Sequence, residues 1–252
     1  MKIYLLILPN FSHIYGMNGS YADILTLNLP NDWQAIVLGI LCGILALSAT
    51  EMVSAFKLLP NENSRKLLHI LACFSLIAVY LTGLGFGSSI LLAGLWLLLL
   101  LALRFTPTGS FFYISSLRKV KRVTFGEVYL IASLPIMIGL DLSVFAFIGS
   151  YLVLAFADTA AALFGKRYGG SLQLPGLYAK TIEGSSAFFV VAVITLASTC
   201  VWQGYPFTFR LLVSFAFLAL FLTVVELFSF RGLDNITVPL LCALYLKFLF
   251  EA

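Results

Sequence analysis

Charge is what this sequence has least of. Of its 252 residues only 10% are Asp, Glu, Lys or Arg, against about 25% in an ordinary soluble domain. So few charges cannot clothe a water-exposed surface. With a mean hydropathy of +1.04, the composition predicts a polytopic membrane protein. Cysteine is also scarce. Cys42, Cys73, Cys200 and Cys242 lie in separate apolar segments with no CxxC or Cys/His spacing, which argues against a disulfide framework and a thiolate metal site. There is no GxxxxGK[ST], no HExxH and no GxSxG, so a Walker-type phosphate loop, a zinc protease and a serine lipase all lack support. "GLGFGS", Gly83 to Ser88, comes nearest to a glycine-rich loop, but it joins two apolar segments and reads as a tight turn. No internal repeat or low-complexity tract is present, and nothing points to a nucleic-acid partner.

What the chain does have is apolar segments of membrane length. A helical span needs about 20 residues at a rise of ~1.5 Å each. Candidates run over about 33–58, 67–83, 87–104, 126–140, 143–164, 185–203, 209–230 and 236–250. The fold expected is therefore all-α, with about eight transmembrane helices in one domain, 33–252. The 126–140 segment is short, and Pro135 bends it. Residues 1–32 form a separate extracytoplasmic or interfacial segment. "IYLLIL" after Lys2 is too short for a signal peptide and no small-x-small site follows it; His13 is given no chemical role.

Alternating these spans across a bilayer tests the assignment. With the loop after the first span placed in the cytoplasm, Lys57, Arg65, Lys66, Arg104, Arg118, Lys119, Lys121, Arg122, Lys166, Arg167, Lys180 and Arg231 share that side. Lys2, Arg210 and Lys247 are left on the other. This asymmetry follows the positive-inside rule and puts both termini outside. Trp33 and Trp202 then fall at the far interface, and Lys119, Lys121 and Arg122 face anionic headgroups. The expected location is a bacterial inner membrane, or an organellar one.

Five polar patches interrupt the apolar pattern: "NSRKLLH" (Asn63 to His69), "TFGEVY" (Thr124 to Tyr129), "DTAAALFGKRYG" (Asp158 to Gly169), "KTIEGS" (Lys180 to Ser185) and "VELFSFRGLDN" (Val225 to Asn235). The topology brings all five to the cytoplasmic ends of their helices. A shallow pocket there could collect Glu127, Asp158, Glu183, Glu226 and Asp234 with Arg65, Lys66, Arg167, Lys180 and His69. Carboxylates beside cations suit a metal–phosphate substrate: Mg2+ takes one or two carboxylates plus phosphate oxygens, and Lys and Arg neutralise the rest. Each patch also has a plainer reading. Ala161, Ala162 and Gly165 form a small-residue face that serves either close helix packing or the approach of phosphates to the backbone. The "RKLLH" run serves equally as an interfacial anchor, Lys180 and Glu183 as a local ion pair, and "GLDN" as a turn before a capped helix. Asp158 and Glu226 have no such reading, since an acid inside a span is functional by default. Glu51 lies inside the first span too, lining the pocket or facing a polar helix partner.

In this order, "RKLLH", "DTAAALFGKRYG", "KTIEGS" and "ELFSFRGLDNITVPL" resemble the motifs of the polyprenol kinase family, and "FGEVY" looks like a further family segment. That group comprises dolichol, phytol and CTP-dependent diacylglycerol kinases and is similar to CDP-diacylglycerol synthases. The similarity runs from about residue 50 to the C-terminus, and "DNITVP" with the compact length is phytol-kinase-like. The resemblance implies a CTP-dependent kinase acting on a membrane alcohol with Mg2+. Arg65, Lys66 and His69 match the first motif, Asp158, Gly165 and Gly169 the second, Lys180, Glu183 and Gly184 the third, and Glu226, Asp234 and Asn235 the last. Asp158 and Asp234, with Glu226, would then hold Mg2+. Arg65, Lys66 and Lys180 would grip CTP, with Gly165, Gly169, Glu183, Gly184 and Asn235 around it. A carboxylate or His69 would take the hydroxyl proton. Where many relatives have glycine four residues after the histidine, this chain has Cys73. The alternatives are a cytidylyltransferase forming a CDP-lipid, a diacylglycerol kinase and, remotely, a transporter.

Overall fold

The computed structural model describes residues 29–105, 125–170 and 180–251. The N-terminal segment through residue 28, with His13, lies outside the described residues. So do the basic run at Lys119, Lys121 and Arg122 and most of the loop between Tyr168 and Lys180.

The described residues form eight helices: α1 (Leu29–Ala55), α2 (Asn61–Leu81), α3 (Phe86–Phe105), α4 (Gly126–Gly139), α5 (Val144–Tyr168), α6 (Ile182–Trp202), α7 (Phe209–Phe228) and α8 (Asp234–Glu251). Six of them, α1, α2, α3, α5, α6 and α7, are long and apolar enough to cross a membrane. The 14-residue α4 is too short on its own, and α8 carries Asp234, Lys247 and Glu251 within 18 residues. All eight expected helices are present, though only these six have the length and hydropathy of a span. The largest differences in extent are at three ends: α2 starts at Asn61 rather than near residue 67, the first helix starts at Leu29 rather than near residue 33, and α5 continues to Tyr168, past the expected end at 164. The extra turn of α5 is held by its neighbour α6, as described below.

The helix α5 is the axis of the bundle: 78% of its span is buried, against 22–39% for the other five. It packs on α2, α6 and α8. Its sequence suits that place, because Ala146, Gly149, Ser150, Ala155, Ala157 and Ala161 let neighbouring backbones close in, as membrane helices require. Several polar side chains in this core are hydrogen-bonded. The Tyr80 hydroxyl donates to the Leu142 carbonyl at 2.6 Å, and the Tyr80 ring stacks on Phe147 at 3.7 Å. Ser133 and Tyr151 share a hydrogen bond of 2.7 Å.

Helix ends carry their own stop and start signals. Ser143, Thr181 and Thr208 cap α5, α6 and α7, each side-chain oxygen accepting a backbone N–H three residues on. Lys247 in α8 donates to the carbonyls of Leu140 and Asp141, where α4 ends, meeting the negative end of that helix. Short turns join α1 to α2, α2 to α3, α4 to α5, α6 to α7 and α7 to α8, and the contacts of Asp158 with Lys66, of Glu226 with Lys180 and of Gly126 with Gly232 bring the starts of α2, α4, α6 and α8 to one end of the bundle with the ends of α1, α3, α5 and α7. Trp33 and Trp202, exposed at 54% and 71%, belong to helix ends at the opposite pole.

Candidate active site

The polar patches of the sequence do meet, at the shared end of the bundle. Asp158 comes from α5, Glu226 from the last turn of α7 and Asp234 from the first residue of α8. One carboxylate oxygen from each lies within 4.8 Å of the others. Asp158 and Glu226 are buried, at 7% and 3% exposure, and Asp234 is half-buried. Glu226 and Asp234 stand at the end of α7 and the start of α8, whereas α5 runs on past the cluster. Asp158 lies ten residues before the end of α5, about 15 Å along a helix axis at ~1.5 Å per residue.

Two lysines answer these acids. Lys66, from the first turns of α2, donates to Asp158 Oδ2 at 2.7 Å. Lys180, just ahead of α6, is paired with Glu226. Burial pulls the Lys180 ammonium down, but the charges of Glu226 and Asp234 lift it further, and the net shift is upward, so it stays protonated. Carboxylates this close together repel unless cations stand among them, and the two ammonium groups supply that compensation here. His69, one turn beyond Arg65, places Nε2 at 3.4 Å from Asp158 Oδ2. That nitrogen is buried and has no hydrogen-bond partner among the described residues.

The turn that delivers Asp234 is built by glycine. Arg231 and Gly232 both have positive φ, 51° and 90°. A Cβ on Gly232 would stand 2.7 Å from the Gly126 backbone, and Phe125 N–H donates to the Arg231 carbonyl at 3.1 Å. The "FGEVY" patch is therefore the seat on which "RGLDN" rests. Glu127 follows directly in α4. In α8, Pro239 has no N–H, so the Asn235 carbonyl four residues earlier lacks its usual helical donor.

Not every residue singled out in the sequence joins the cluster. Glu183 is exposed; it accepts the Gly170 N–H at 3.2 Å and so ties down the chain leaving α5. Arg167 is exposed and lies over the Tyr168 ring. The small face of α5 turns to α6 rather than to an open cleft. A Cβ on Gly165 would stand 2.9 Å from Thr181 Oγ1, one on Gly169 2.6 Å from Thr181 Cγ2, and one on Gly184 2.8 Å from the Ala161 carbonyl. The bareness of these three glycines is spent on helix contact, and that contact carries α5 out to Tyr168.

The structure also shows a cleft that the site analysis of the sequence missed. Beside His69 a cleft of about 110 Å3 runs between α1, α2, α3 and α4. Arg65, His69, Glu127 and Asn235 line one part of it, and the rest is almost wholly apolar. The signal was present in α1, where Gly39, Gly43 and Ala46 fall on one helical face.

The chemistry of the donor set fits a hard divalent cation. Asp158, Glu226 and Asp234 offer oxygen only, in the number and proximity that Mg2+ accepts alongside other oxygen ligands. Fold and site together define a class: a helical bundle, six of whose described helices are long and apolar enough to cross a membrane, with a largely buried cluster of three acids and two lysines at one end.

Comparison with known proteins refines this. No protein-family profile matches the chain, and no solved structure matches it. It is, however, 33% identical over 203 residues to a phytol kinase of Synechocystis sp. (strain ATCC 27184 / PCC 6803 / Kazusa), a match covering 77% of this chain and 82% of the relative. The chain belongs to the polyprenol and phytol kinase family.

Proposed function

We propose that this chain is an integral-membrane kinase that transfers the γ-phosphate of CTP to an isoprenoid alcohol, with Mg2+, at the cytoplasmic end of its bundle. The observation that carries the reading is the meeting of Asp158, Glu226 and Asp234 within 4.8 Å, each of the first two closed on a lysine. The choice of alcohol leans on the relative, whose name is phytol kinase. The orientation leans on the crowding of basic residues at the site end. CTP as donor leans on the family resemblance.

Phosphoryl transfer asks a protein for positioning and charge stabilisation more than for covalent chemistry. Asp158, Glu226 and Asp234 would hold Mg2+, which neutralises charge on phosphate oxygens when bound. Their carboxylates would then no longer need Lys66 and Lys180, whose ammonium groups would turn to the triphosphate. His69 Nε2, buried beside Asp158 and with no hydrogen-bond partner among the described residues, would accept the proton of the lipid hydroxyl as its oxygen bonds to the γ-phosphorus and CDP leaves. The bundle around Asp158 keeps bulk water from competing with the lipid hydroxyl.

The test is product analysis with purified protein in lipid vesicles, C20 isoprenoid alcohols and Mg2+. CTP labelled in the γ-phosphate should leave label on the lipid, while CTP labelled in the cytidine should not. Asp158→Asn and Asp234→Asn should each lower the rate below about 1% of wild type, a loss of roughly 2.7 kcal/mol or more in transition-state stabilisation. Cytidine on the lipid would make the chain a cytidylyltransferase, and wild-type rates in both variants would remove the acids from the mechanism.

A further inference from the structure

We infer that Asn235 is a further catalytic residue, whose carboxamide holds the oxygen of the acceptor hydroxyl and turns the hydroxyl proton to His69. The inference rests on the kinase reading for the reaction and on geometry for the residue. The motif resemblance set Asn235 beside the nucleotide; the structure gives it another neighbourhood. Asp234 and Asn235 are successive residues at the start of α8, and they serve two places. Asp234 joins the acid cluster, while Asn235 lines the cleft with Arg65, His69 and Glu127. His69 belongs to both places, because it lines the cleft and sets Nε2 3.4 Å from Asp158 Oδ2. Asn235 and His69 thus mark the junction between cluster and cleft.

Each of the two brings an unanswered polar group to that junction. His69 Nε2 is buried and has no hydrogen-bond partner among the described residues. Asn235 is only 9% exposed. Its main-chain N–H donates to the Gly232 carbonyl at 3.1 Å, but its carboxamide has no hydrogen-bond partner among the described residues. Polar groups kept buried and unpaired are costly, so two of them on one cleft point to a polar ligand. The backbone beside Asn235 makes room for its side chain. A Cβ on Gly126 would stand 2.6 Å from Asn235 Nδ2 and would meet no other atom nearer than 3.7 Å. The rest of the cleft is almost wholly apolar, which suits neither a ribose nor a cytosine, since either would lose its hydrogen bonds to water without replacement. A hydroxyl on an apolar molecule loses only one polar group to this junction. Its oxygen has one proton and two lone pairs. In the transfer one lone pair forms the bond to the γ-phosphorus. The bond from that phosphorus to the β,γ-bridging oxygen breaks, CDP leaves with its electron pair, and the proton passes to His69 Nε2. The second lone pair accepts an N–H from Asn235. With the proton and one lone pair both held, the attacking lone pair has a fixed direction, which is the gain that orientation gives a displacement at phosphorus.

Two variants of the full-length protein test this, in lipid vesicles with a C20 isoprenoid alcohol, CTP and Mg2+. Asn235→Ala should lower kcat/KM for the alcohol at least thirtyfold and leave the KM for CTP within twofold. Gly126→Ala should lower kcat/KM for the alcohol at least tenfold at a nearly unchanged melting temperature, because its methyl group displaces only the far end of the Asn235 side chain. The double variant should be no slower than Asn235→Ala alone, whereas two separate structural defects would multiply. Wild-type kinetics in Asn235→Ala, a raised KM for CTP with alcohol kinetics unchanged, or multiplied losses in the double variant would each overturn the inference. A second measurement needs no turnover. Without nucleotide, the C20 alcohol should raise the melting temperature of solubilised wild type further than the hydrocarbon of the same skeleton does, and Asn235→Ala should cut that difference at least by half. An undiminished difference would also overturn the inference. If Asn235→Ala does not fold, Gly126→Ala decides by the same two measurements. If the wild type phosphorylates no alcohol, the kinase reading falls, and the melting comparison still decides whether Asn235 holds a hydroxyl.

Discussion

Replacing Lys66 by Met while leaving Asp158 intact strands a buried carboxylate. The two groups are 2.7 Å apart, and each side chain is only 10% exposed. At an effective dielectric of ~20 their attraction is about 6 kcal/mol. Desolvation of each ion costs several kcal/mol, so the pair as a whole adds little to stability. Removing one partner is another matter, because the desolvation of the survivor is then uncompensated; the usual cost is about 3–5 kcal/mol. For a chain of this size that lowers an apparent melting temperature by roughly 6–20 °C. Asp158→Asn should do similar damage by stranding Lys66. The double variant Lys66→Met/Asp158→Asn removes both charges and should recover most of the loss, giving a coupling energy of about 3 kcal/mol. The assay is thermal unfolding of detergent-solubilised protein with chelator present, run on the four members of the cycle. Phosphate transfer should be lost in all three variants, including the stable one. Single shifts under about 2 °C, or a double variant no better than the sum of the singles, would refute a coupled buried pair and with it the idea that lysines hold the cation's place.

Other outcomes follow from the same geometry. Mg2+ at one hundred times its Kd should stabilise the wild type by about 2.7 kcal/mol and fail to stabilise Asp234→Asn, read as a melting shift with and without the ion. Gly232→Ala must place a Cβ 2.7 Å from the Gly126 backbone at a φ of 90°, so it should abolish both expression of folded protein and activity, whereas alanine in the open space at Gly94 should be tolerated. Gly184→Val should separate α5 from α6 and cost at least about 1–3 kcal/mol by overpacking, visible as faster proteolysis near Tyr168. Lys247→Met removes the donor to Leu140 and Asp141 at the opposite pole and should cost about 1–3 kcal/mol of stability while the KM for CTP stays unchanged.

Much of the fold was legible because a bilayer leaves few choices. Apolar runs of span length must be helices, since no water is there to satisfy an open backbone. The helices stand within a few residues of where the pattern put them; α5 overruns because Gly165, Gly169 and Gly184 bind it to α6, a contact between distant segments. The acids of the site were legible for a related reason. Asp158 and Glu226 sit in apolar runs where an ionised group is costly by roughly 2.5–3.5 kcal/mol on insertion scales, so each called for a partner. The partner's identity was not legible. Lys66 and Lys180 were read as phosphate ligands, but here each closes on an acid from another helix. Glu183 was counted among the nucleotide-binding residues, yet it caps Gly170, because its position in the first turn of α6 faces the chain leaving α5.

By itself, the order of residues determined which stretches become helices, which end of the bundle collects charge, and that Asp158 and Glu226 must be answered. These are local matters, settled by hydropathy over one span and by the cost of burying one charge. Only the tertiary structure decided that three acids from α5, α7 and α8 stand within 4.8 Å, that the glycine faces are used for packing, and that a cleft forms beside His69. Those depend on how far apart helices settle and how they are rotated, which the many small contacts of the whole bundle fix together and no single segment encodes.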